Sequence, residues 1–157
     1  MAQGKQLEDL EVWQAAEALV VEIHRLTREG TLAKDYGVSD QLQRAATEVM
    51  AEIAGGYEQG GRQLADGLHR AKGAVGKVRS LLHVAKDLGH IPEQRRAELL
   101  EHLANIARQL GGFIRYLEKG PAPSAAPPDQ RPNRPPEPRG AVASGPGPGP
   151  APRGYRA

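Results

Sequence analysis

The chain has 157 residues, a formal net charge of +2, 4% aromatic residues and no cysteine. Without cysteine it has no disulfide, no thiolate zinc site and no cysteine nucleophile, which fits a reducing compartment and makes the cytoplasm the expected location. The first residues lack the apolar core of a signal peptide, and no segment approaches the roughly 18 to 20 apolar residues that span a bilayer. We therefore expect neither export nor contact with a membrane.

The first predicted helix follows Asp9, which is a favourable N-cap residue. Four residues then recur at spacings of three and four, and therefore share one face: Trp13, Ala16, Val20 and Ile23. The helix is expected to end near Arg28, before a Glu-Gly pair.

A second helix is predicted to begin at Ser39 or Asp40, since both are common N-cap residues. Its apolar face carries Leu42, Ala46, Val49, Ile53 and Tyr57. Gly55 and Gly56 weaken its last turn by about 1 kcal/mol each relative to alanine.

The third predicted helix has the most regular apolar pattern. Its seam alternates spacings of four and three over three heptads: Leu64, Leu68, Ala71, Val75, Val78, Leu82 and Ala85. Gly89 is its expected C-terminal stop, because glycine adopts the left-handed conformation that ends many helices.

Pro92 fits the first turn of a fourth helix, where its missing N–H costs no hydrogen bond. The seam continues through Leu99, Leu103, Ile106, Leu110, Phe113 and Leu117. Gly111 and Gly112 inside this helix predict a close approach by a neighbouring helix.

Four amphipathic segments with short connections and no strand-like alternation predict an all-α protein, an antiparallel up-down four-helix bundle over residues 1–120. Residues 121–157 are rich in proline, glycine and arginine and have almost no branched aliphatic side chains, so we expect a disordered low-complexity tail. The bundle core is rich in Ala, Val and Leu and poor in large aromatics. Such a thin core favours additional burial between copies of the chain.

Five segments, in order, resemble one bacterial protein family. They are LEVWQAAEALV, DYGVSDQLQRAA, VMAEIAGGYE, AKGAVGKVRSLLHVAKDLGHI and IARQLGGFIRYL. They are similar to the four-helix-bundle proteins encoded in 23S ribosomal RNA intervening sequences. Parts of the last two are also similar to the accessory variability proteins of diversity-generating retroelements.

The resemblance implies a non-enzymatic homo-oligomer, a ring-forming homopentamer with a central channel. It also implies structured RNA, or a reverse transcriptase, as a partner. The chain departs from the family at polar positions that the family usually keeps: Glu48, Glu52, Gly55, Ala74 and Lys77. The resemblance therefore extends to the scaffold more than to the surface chemistry.

The second and third predicted helices differ in charge, because residues 39–59 hold four acids and one base whereas residues 62–88 hold six bases and two acids. Lys72, Arg79 and Lys86 are spaced by seven and form one stripe, and Arg70 and Lys77 form a second pair beside it. A basic helix surface can contact RNA phosphates, so these five residues are the candidate nucleic-acid-binding site.

Two alternatives stay open for this charge pattern. The basic residues form a solvated face, or they pair with Glu48, Glu52 and Glu58 in the same or a neighbouring subunit. In the second case the protein is a protein-interaction module without nucleic-acid binding. The five arginines of the tail either add nonspecific contacts to RNA or an acidic partner, or serve as a solubilising extension. They are Arg131, Arg134, Arg139, Arg153 and Arg156.

No catalytic, metal or cofactor motif is recognisable in the sequence. The five histidines lack metal-ligand spacing, and a pair such as Asp66 with His69 is typical of a surface contact. Phosphate-binding loops and nucleophile elbows are missing as well. We therefore expect no enzyme activity, no metal and no cofactor. We expect Trp13 and Tyr57 to be core residues rather than base-stacking platforms.

Overall fold

The computed structural model describes residues 4–119 of the chain. Four α-helices lie in this range: α1 (Glu11–Leu26), α2 (Tyr36–Gln59), α3 (Gly61–Asp87) and α4 (Glu93–Lys119). Two one-turn 3-10 helices, Leu7–Asp9 and Leu32–Lys34, precede α1 and α2. The described range contains no strand, and the all-α prediction is confirmed. The predicted tail, with its five arginines, lies outside the described residues.

Neighbouring helices run antiparallel, as their cross-helix contacts show. At the contacts between α2 and α3, residue numbers rise along one helix as they fall along the other: Glu48 pairs with Lys77, and Glu52 pairs with Arg70. The start of α3 meets the end of α4, and the end of α1 meets the start of α4: His69 with Glu118, and Glu22 with Arg95. The helices therefore form a four-membered bundle in which α4 packs on both α3 and α1.

The buried face of α1 is rotated by about one residue from the predicted face. Ala16 and Ile23 are buried as expected, but Trp13 and Val20 are only partly buried. The remaining core positions of this helix are Val12, Leu19 and Leu26. The run ALVV at residues 18–21 lets a 3.6-residue period be fitted in two ways, and only packing distinguishes them.

The apolar faces of the other helices match the predictions more closely. The buried residues of α2 include every predicted position except Tyr57, which is half-buried. On α3 the seam is buried from Leu68 to Ala85, and Leu64 lies at its edge. On α4, Ile114 is buried, whereas Phe113 and Leu117 pack against the rim of the core.

Both predicted N-cap positions are wrong. Asp9 ends the first 3-10 helix, where its carboxylate accepts a hydrogen bond from the Gln6 N–H at 2.9 Å. The cap of α2 is Asp35, whose Oδ1 accepts from the Val38 N–H at 3.1 Å. Ser39 lies inside α2, and its buried hydroxyl donates to the carbonyl of Leu32 at 2.6 Å. The Ser39 side chain therefore binds the backbone of the α1–α2 connection instead of capping α2.

Gly89 ends α3 as predicted, with a φ of +78°. The N–H of His90 donates to the Ala85 carbonyl, and the N–H of Gly89 donates to the Lys86 carbonyl, each at 2.9 Å. This is the Schellman arrangement, which requires a left-handed residue at the position after the cap. Pro92 directly precedes α4 and its carbonyl accepts from the Arg96 N–H at 3.1 Å.

The close helix approach occurs at a different pair of glycines from the predicted pair. A Cβ placed on Gly67 would lie 2.6 Å from the Glu52 carbonyl oxygen of α2 and 2.9 Å from the Cα of Gly56. At Gly111 and Gly112, only the side chain of Arg115, on the same helix, comes within 4 Å. The prediction for α4 is therefore wrong, and the backbone contact joins α2 to α3.

Candidate nucleic-acid interface

The five basic residues proposed from the sequence all lie on the exposed surface of α3, opposite or beside its buried seam. They do not share one environment. Arg70 Nε lies 2.6 Å from Glu52 Oε2, and Lys77 Nζ lies 2.8 Å from Glu48 Oε1. This pair of cations is therefore neutralised by α2 of the same chain, as one of the two alternatives anticipated.

The other three cations are less constrained. Within residues 4–119, neither Lys72 nor Arg79 has a carboxylate within 4.0 Å. Lys86 Nζ lies 3.7 Å from the carboxylate of Asp87, its chain neighbour, a contact between exposed groups that contributes little to stability. Lys72 and Arg79 are therefore the predicted site residues with free positive charge.

An open groove of about 700 Å³ lies between α2 and α3. Gly73 and Gly76 form part of its wall, and a Cβ on either glycine would meet nothing within 4 Å. Arg44 lines the opposite side and is held by Asp40 at 2.7 Å. The lining combines charged and polar side chains with Ala45 and Leu81, and the groove has room for the side chains of another molecule.

A second set of exposed cations, which the sequence reasoning missed, lies on the C-terminal half of α4. It consists of Arg108, Arg115 and Lys119, and we refer to these three as the α4 cations. None has a carboxylate within 4.0 Å in the described part of the chain. Their spacings of seven and four are visible in the sequence, but α4 as a whole has no large excess of bases that marks them.

The histidines act as links between elements. His69 contacts Glu118 at 3.0 Å, and His102 contacts Glu22 at 2.9 Å. The His83 ring nitrogen lies 2.7 Å from an Arg96 nitrogen. Residues 4–119 contain no group of three potential metal-ligating side chains.

One polar cluster joins the two connections at one end of the bundle. His90 Nδ1 lies 2.8 Å from Thr31 Oγ1, and His90 Nε2 lies 2.9 Å from Asp35 Oδ2. The pKa of Asp35 is lowered from its ordinary value of 3.8, first by the Val38 N–H and then by the hydrogen bond with His90. The cluster holds the α1–α2 connection against the α3–α4 connection, and we assign it a structural role.

This lowered pKa predicts a specific pH dependence of stability. A carboxylate whose pKa is lower in the folded than in the unfolded chain favours folding while it is charged, and that contribution is lost as the pH falls through the folded-state pKa. Asp35→Asn keeps a capping side chain but cannot titrate. Between pH 7 and about pH 2 the free energy of unfolding should therefore fall more steeply in the natural chain than in Asp35→Asn.

Urea unfolding at successive pH values measures this difference. The two curves should run parallel above about pH 5 and converge below the ordinary carboxyl pKa. Curves that stay parallel throughout the acid range would show that the Asp35 carboxylate contributes nothing through its charge.

A second polar contact lies at the start of α4. Arg96 Nε donates to Glu93 Oε2 at 2.7 Å. This hydrogen bond lowers the pKa of Glu93 and raises the pKa of Arg96. An acid in the first turn of a helix also interacts favourably with the helix dipole.

The aromatic side chains with predicted core positions are only partly enclosed. Trp13 packs against the core cluster at its edge. Tyr57 is half-buried, and its hydroxyl donates to the carbonyl of Lys5. Among residues 4–119 the most exposed aromatic side chains are instead Tyr36, 80% exposed, and Tyr116, 64% exposed.

The family comparison agrees with the helical bundle and with the resemblance of its segments. The model of the 23S rRNA-intervening sequence protein family matches residues 8–112, which include α1, α2, α3 and most of α4. The chain belongs to this family. No curated protein matches it.

A solved structure supports the same fold. It is the crystal structure of a protein of unknown function from the S23 ribosomal protein family of Bacteroides thetaiotaomicron VPI-5482. The two chains are 19% identical and superpose with a TM-score of 0.61, over 66% of this chain and 95% of the other. At this identity the similarity establishes the fold alone. Within the described residues, no helix has the length and apolar character required to cross a bilayer.

Proposed function

We propose that the protein is a non-enzymatic homo-oligomeric scaffold that associates with structured RNA or a ribonucleoprotein through the outer surface of α3. The observation that carries this proposal is the pair of exposed cations Lys72 and Arg79, which lie two turns apart and have no carboxylate partner in residues 4–119. The family to which the chain belongs, named for intervening sequences of 23S rRNA, gives the proposal its RNA context.

The two halves of the predicted site contribute differently to this interaction. Lys72 and Arg79 can contact phosphates without breaking an existing ion pair. Arg70 and Lys77 must first leave Glu52 and Glu48. Partly exposed ion pairs contribute only about 0–1 kcal/mol, so RNA can displace them at small cost. We therefore assign the main contact to Lys72 and Arg79 and a supporting contact to the paired cations and Lys86.

A filter-binding titration with a structured RNA hairpin tests this assignment. Lys72→Glu with Arg79→Glu should reduce affinity at low salt by at least about tenfold, because two phosphate contacts are replaced by repulsion. The slope of log affinity against log salt should also become shallower by about 2, one for each lost contact.

The matched control reverses two exposed cations at the end of the bundle that holds the α1–α2 connection, Arg28→Glu with Lys34→Glu. Neither residue has an ion-pair partner in the described range. The control changes the net charge by the same amount as Lys72→Glu with Arg79→Glu. The control should alter affinity by less than about threefold. Equal losses in both variants would mean that RNA senses only the overall charge, and the assignment to α3 would be abandoned.

Self-association is the second part of the proposal. Val84 and Leu88 at the end of α3 are 44% and 56% exposed, and they continue the apolar edge that Leu81 adds to the open groove. Exposed apolar side chains beside a glycine-walled groove are typical of surfaces that another chain covers. A ring requires such a patch to contact a different surface on the next copy.

Light scattering on the full chain measures this association. We expect a pentamer, with five times the 16.8 kDa mass of one chain. Val84→Glu with Leu88→Glu should shift it to smaller species, because burying two unpaired carboxylates is costly. Val21→Glu changes an equally exposed residue on α1 and should leave the mass unaltered. A monomeric natural chain would contradict the proposal directly.

A protein-interaction module without RNA binding is the second candidate function. The ion pairs of Arg70 with Glu52 and of Lys77 with Glu48 favour it, since they neutralise part of the α3 surface within one chain. An intact oligomer that shows no affinity for RNA at low salt would support this second candidate. Either activity fits the cytoplasm, which we propose as the location.

A further inference from the structure

We propose that the outer face of the C-terminal half of α4 is a separate contact surface for single-stranded RNA. In it the α4 cations bind phosphates and Tyr116 stacks on a base. The inference rests on the proposed association with RNA, but it places single strands on a different helix from the α3 surface. It follows from four features of α4: the alignment of the cations, their lack of carboxylate partners, the exposure of Tyr116 and an unsatisfied acceptor nearby.

The α4 cations lie on one line. Residues seven and four apart on a helix differ in direction by only about 20° and 40°, and the three residues extend over roughly 16 Å along the axis. This line is opposite the buried face formed by residues such as Ile106 and Leu110. A flexible, phosphate-bearing strand that follows the helix can therefore contact all three cations.

The charge of this surface is not compensated locally. Glu118, the acid nearest in sequence, is held by His69 on α3 at 3.0 Å. Asp9 and Glu11, on the α1 side, line the recess next to α4, but neither lies within 4.0 Å of an α4 cation. Glu101, one heptad before Arg108, marks the limit of the basic surface. By contrast, α2 neutralises two of the five α3 cations.

The glycine pair of α4 contributes to the shape of the surface. The guanidinium of Arg115 lies beside Gly111 and Gly112, where a Cβ would be 3.4 Å and 3.9 Å from its two terminal nitrogens. The exposed planar cation therefore lies against the backbone of its own helix. In this position it presents a flat face to a base or two N–H groups to a phosphate.

Tyr116 supplies the aromatic platform. Its side chain is 64% exposed although it directly follows Arg115 and lies one turn from Gly112. An exposed tyrosine beside arginines is the combination that binds unpaired bases, because every base has a π-face and the cations hold the backbone. Duplex RNA keeps its bases stacked internally and offers no face to such a platform, so this surface favours single strands.

A recess beside Gly112, one turn before Tyr116, provides space for the edge of a base. It has a volume of about 500 Å³ and lies between α4 and the start of α1. Gln109, two turns before Tyr116 on the same side of α4, lines it, and its buried Oε1 has no hydrogen-bond donor among the described residues. That oxygen is enclosed in this conformation, so a base reaches it only after the Gln109 side chain rotates toward the recess, where the amide can accept from an amino or imino group of a nucleobase.

Fluorescence anisotropy with a labelled oligouridylate of twelve nucleotides tests the surface in the full chain. The triple variant Arg108→Gln, Arg115→Gln and Lys119→Gln should reduce affinity at least tenfold and reduce the salt slope by about 2, since each single-strand phosphate contributes about 0.7. Tyr116→Ala should reduce affinity at least fivefold, and Tyr116→Phe should retain it. Gln109→Leu should weaken binding without lowering the urea midpoint, which separates a binding role from a structural one.

Two control variants locate the effect. Arg25→Gln, Arg28→Gln and Lys34→Gln remove the same charge from three exposed cations at the opposite end of the bundle and should change affinity less than threefold. Changing all five tail arginines to glutamine distinguishes α4 from the tail. The proposal is overturned if the α4 triple variant loses no more affinity than the first control, or if only the tail variant loses binding. Displacement of the RNA by polyglutamate at equal charge would also overturn it, since any polyanion would then suffice.

The same protein preparations separate this inference from the proposed function. Lys72→Glu with Arg79→Glu should leave oligouridylate affinity within twofold while it weakens hairpin binding. Oligouridylate binding that depends on α4, in a chain with no hairpin affinity, would sustain the α4 surface and remove the α3 assignment. Hairpin binding without oligouridylate binding would do the reverse.

Discussion

Gly67→Ala is expected to destabilise the bundle by about 1–3 kcal/mol, although alanine in place of glycine ordinarily stabilises a helix. The added methyl group would lie 2.6 Å from the Glu52 carbonyl oxygen and 2.9 Å from the Cα of Gly56. Both neighbours are backbone atoms of α2, which cannot rotate away as a side chain can. The two helices must therefore separate, and the core residues between them lose contact.

Gly73→Ala is the matched control, because it makes the same chemical change on the same helix, six residues or about 9 Å further along its axis. A Cβ on Gly73 would meet nothing within 4 Å, so only the difference in helix propensity remains. This variant should be more stable than the natural chain by about 0.5–1 kcal/mol. Urea unfolding followed by circular dichroism compares the two. A Gly67→Ala chain as stable as Gly73→Ala would mean that α2 and α3 do not pack as described.

The glycine contact also explains why the sequence left open whether the α3 cations pair with acids of the same chain. The antiparallel register that places Gly56 on Gly67 brings Glu52 beside Arg70 and Glu48 beside Lys77. Helical periodicity predicts that these side chains are exposed, but it contains no information about the register between two helices. That register depends on a contact between residues without side chains, which leaves no apolar signal in the pattern.

How accurately the buried face or the start of a helix is predicted depends on the sequence of that helix. The seam of α3 is continuous over three heptads, so its buried face was assigned correctly. The face of α1 was misassigned because its adjacent apolar residues allow two registers. The predicted start of α2 at Ser39 or Asp40 rests on both being common cap residues, yet the Ser39 hydroxyl donates to the carbonyl of Leu32 from inside the helix. Cap chemistry identifies candidates, and tertiary contacts select among them.

The candidate site shows the same division between local and nonlocal information. The exposure of all five predicted α3 residues follows from the helix period alone. Which of them are free depends on where acids of α2 lie. On α4, the accessibility of Tyr116 and the orphaned oxygen of Gln109 depend on the packing of α1 against α4. A charge count by helix detects an excess of basic residues, whereas a phosphate-binding surface requires basic side chains that no carboxylate neutralises.

Leu32→Ala is expected to cost about 2–5 kcal/mol, as much as a leucine in the centre of a helix. Leu32 lies in the one-turn 3-10 helix Leu32–Lys34 that joins α1 to α2, and no part of its side chain is exposed. Its surroundings in the sequence are polar, so no apolar pattern marks it as a core residue. Its carbonyl accepts the buried Ser39 hydroxyl at 2.6 Å, which fixes the backbone that positions the side chain.

The cost of Leu32→Ala should be large because the cavity cannot close easily. The connection is held at Asp35 by the α2 cap and by the contact with His90, so it cannot move inward to fill the lost volume. Val21→Ala is the control, since that valine lies on α1, outside the proposed self-association surface, and is 44% exposed. It should cost less than about 1 kcal/mol when both variants are unfolded in urea at one protein concentration. Equal costs would show that the α1–α2 connection lies outside the folding core and that Leu32 only covers its surface.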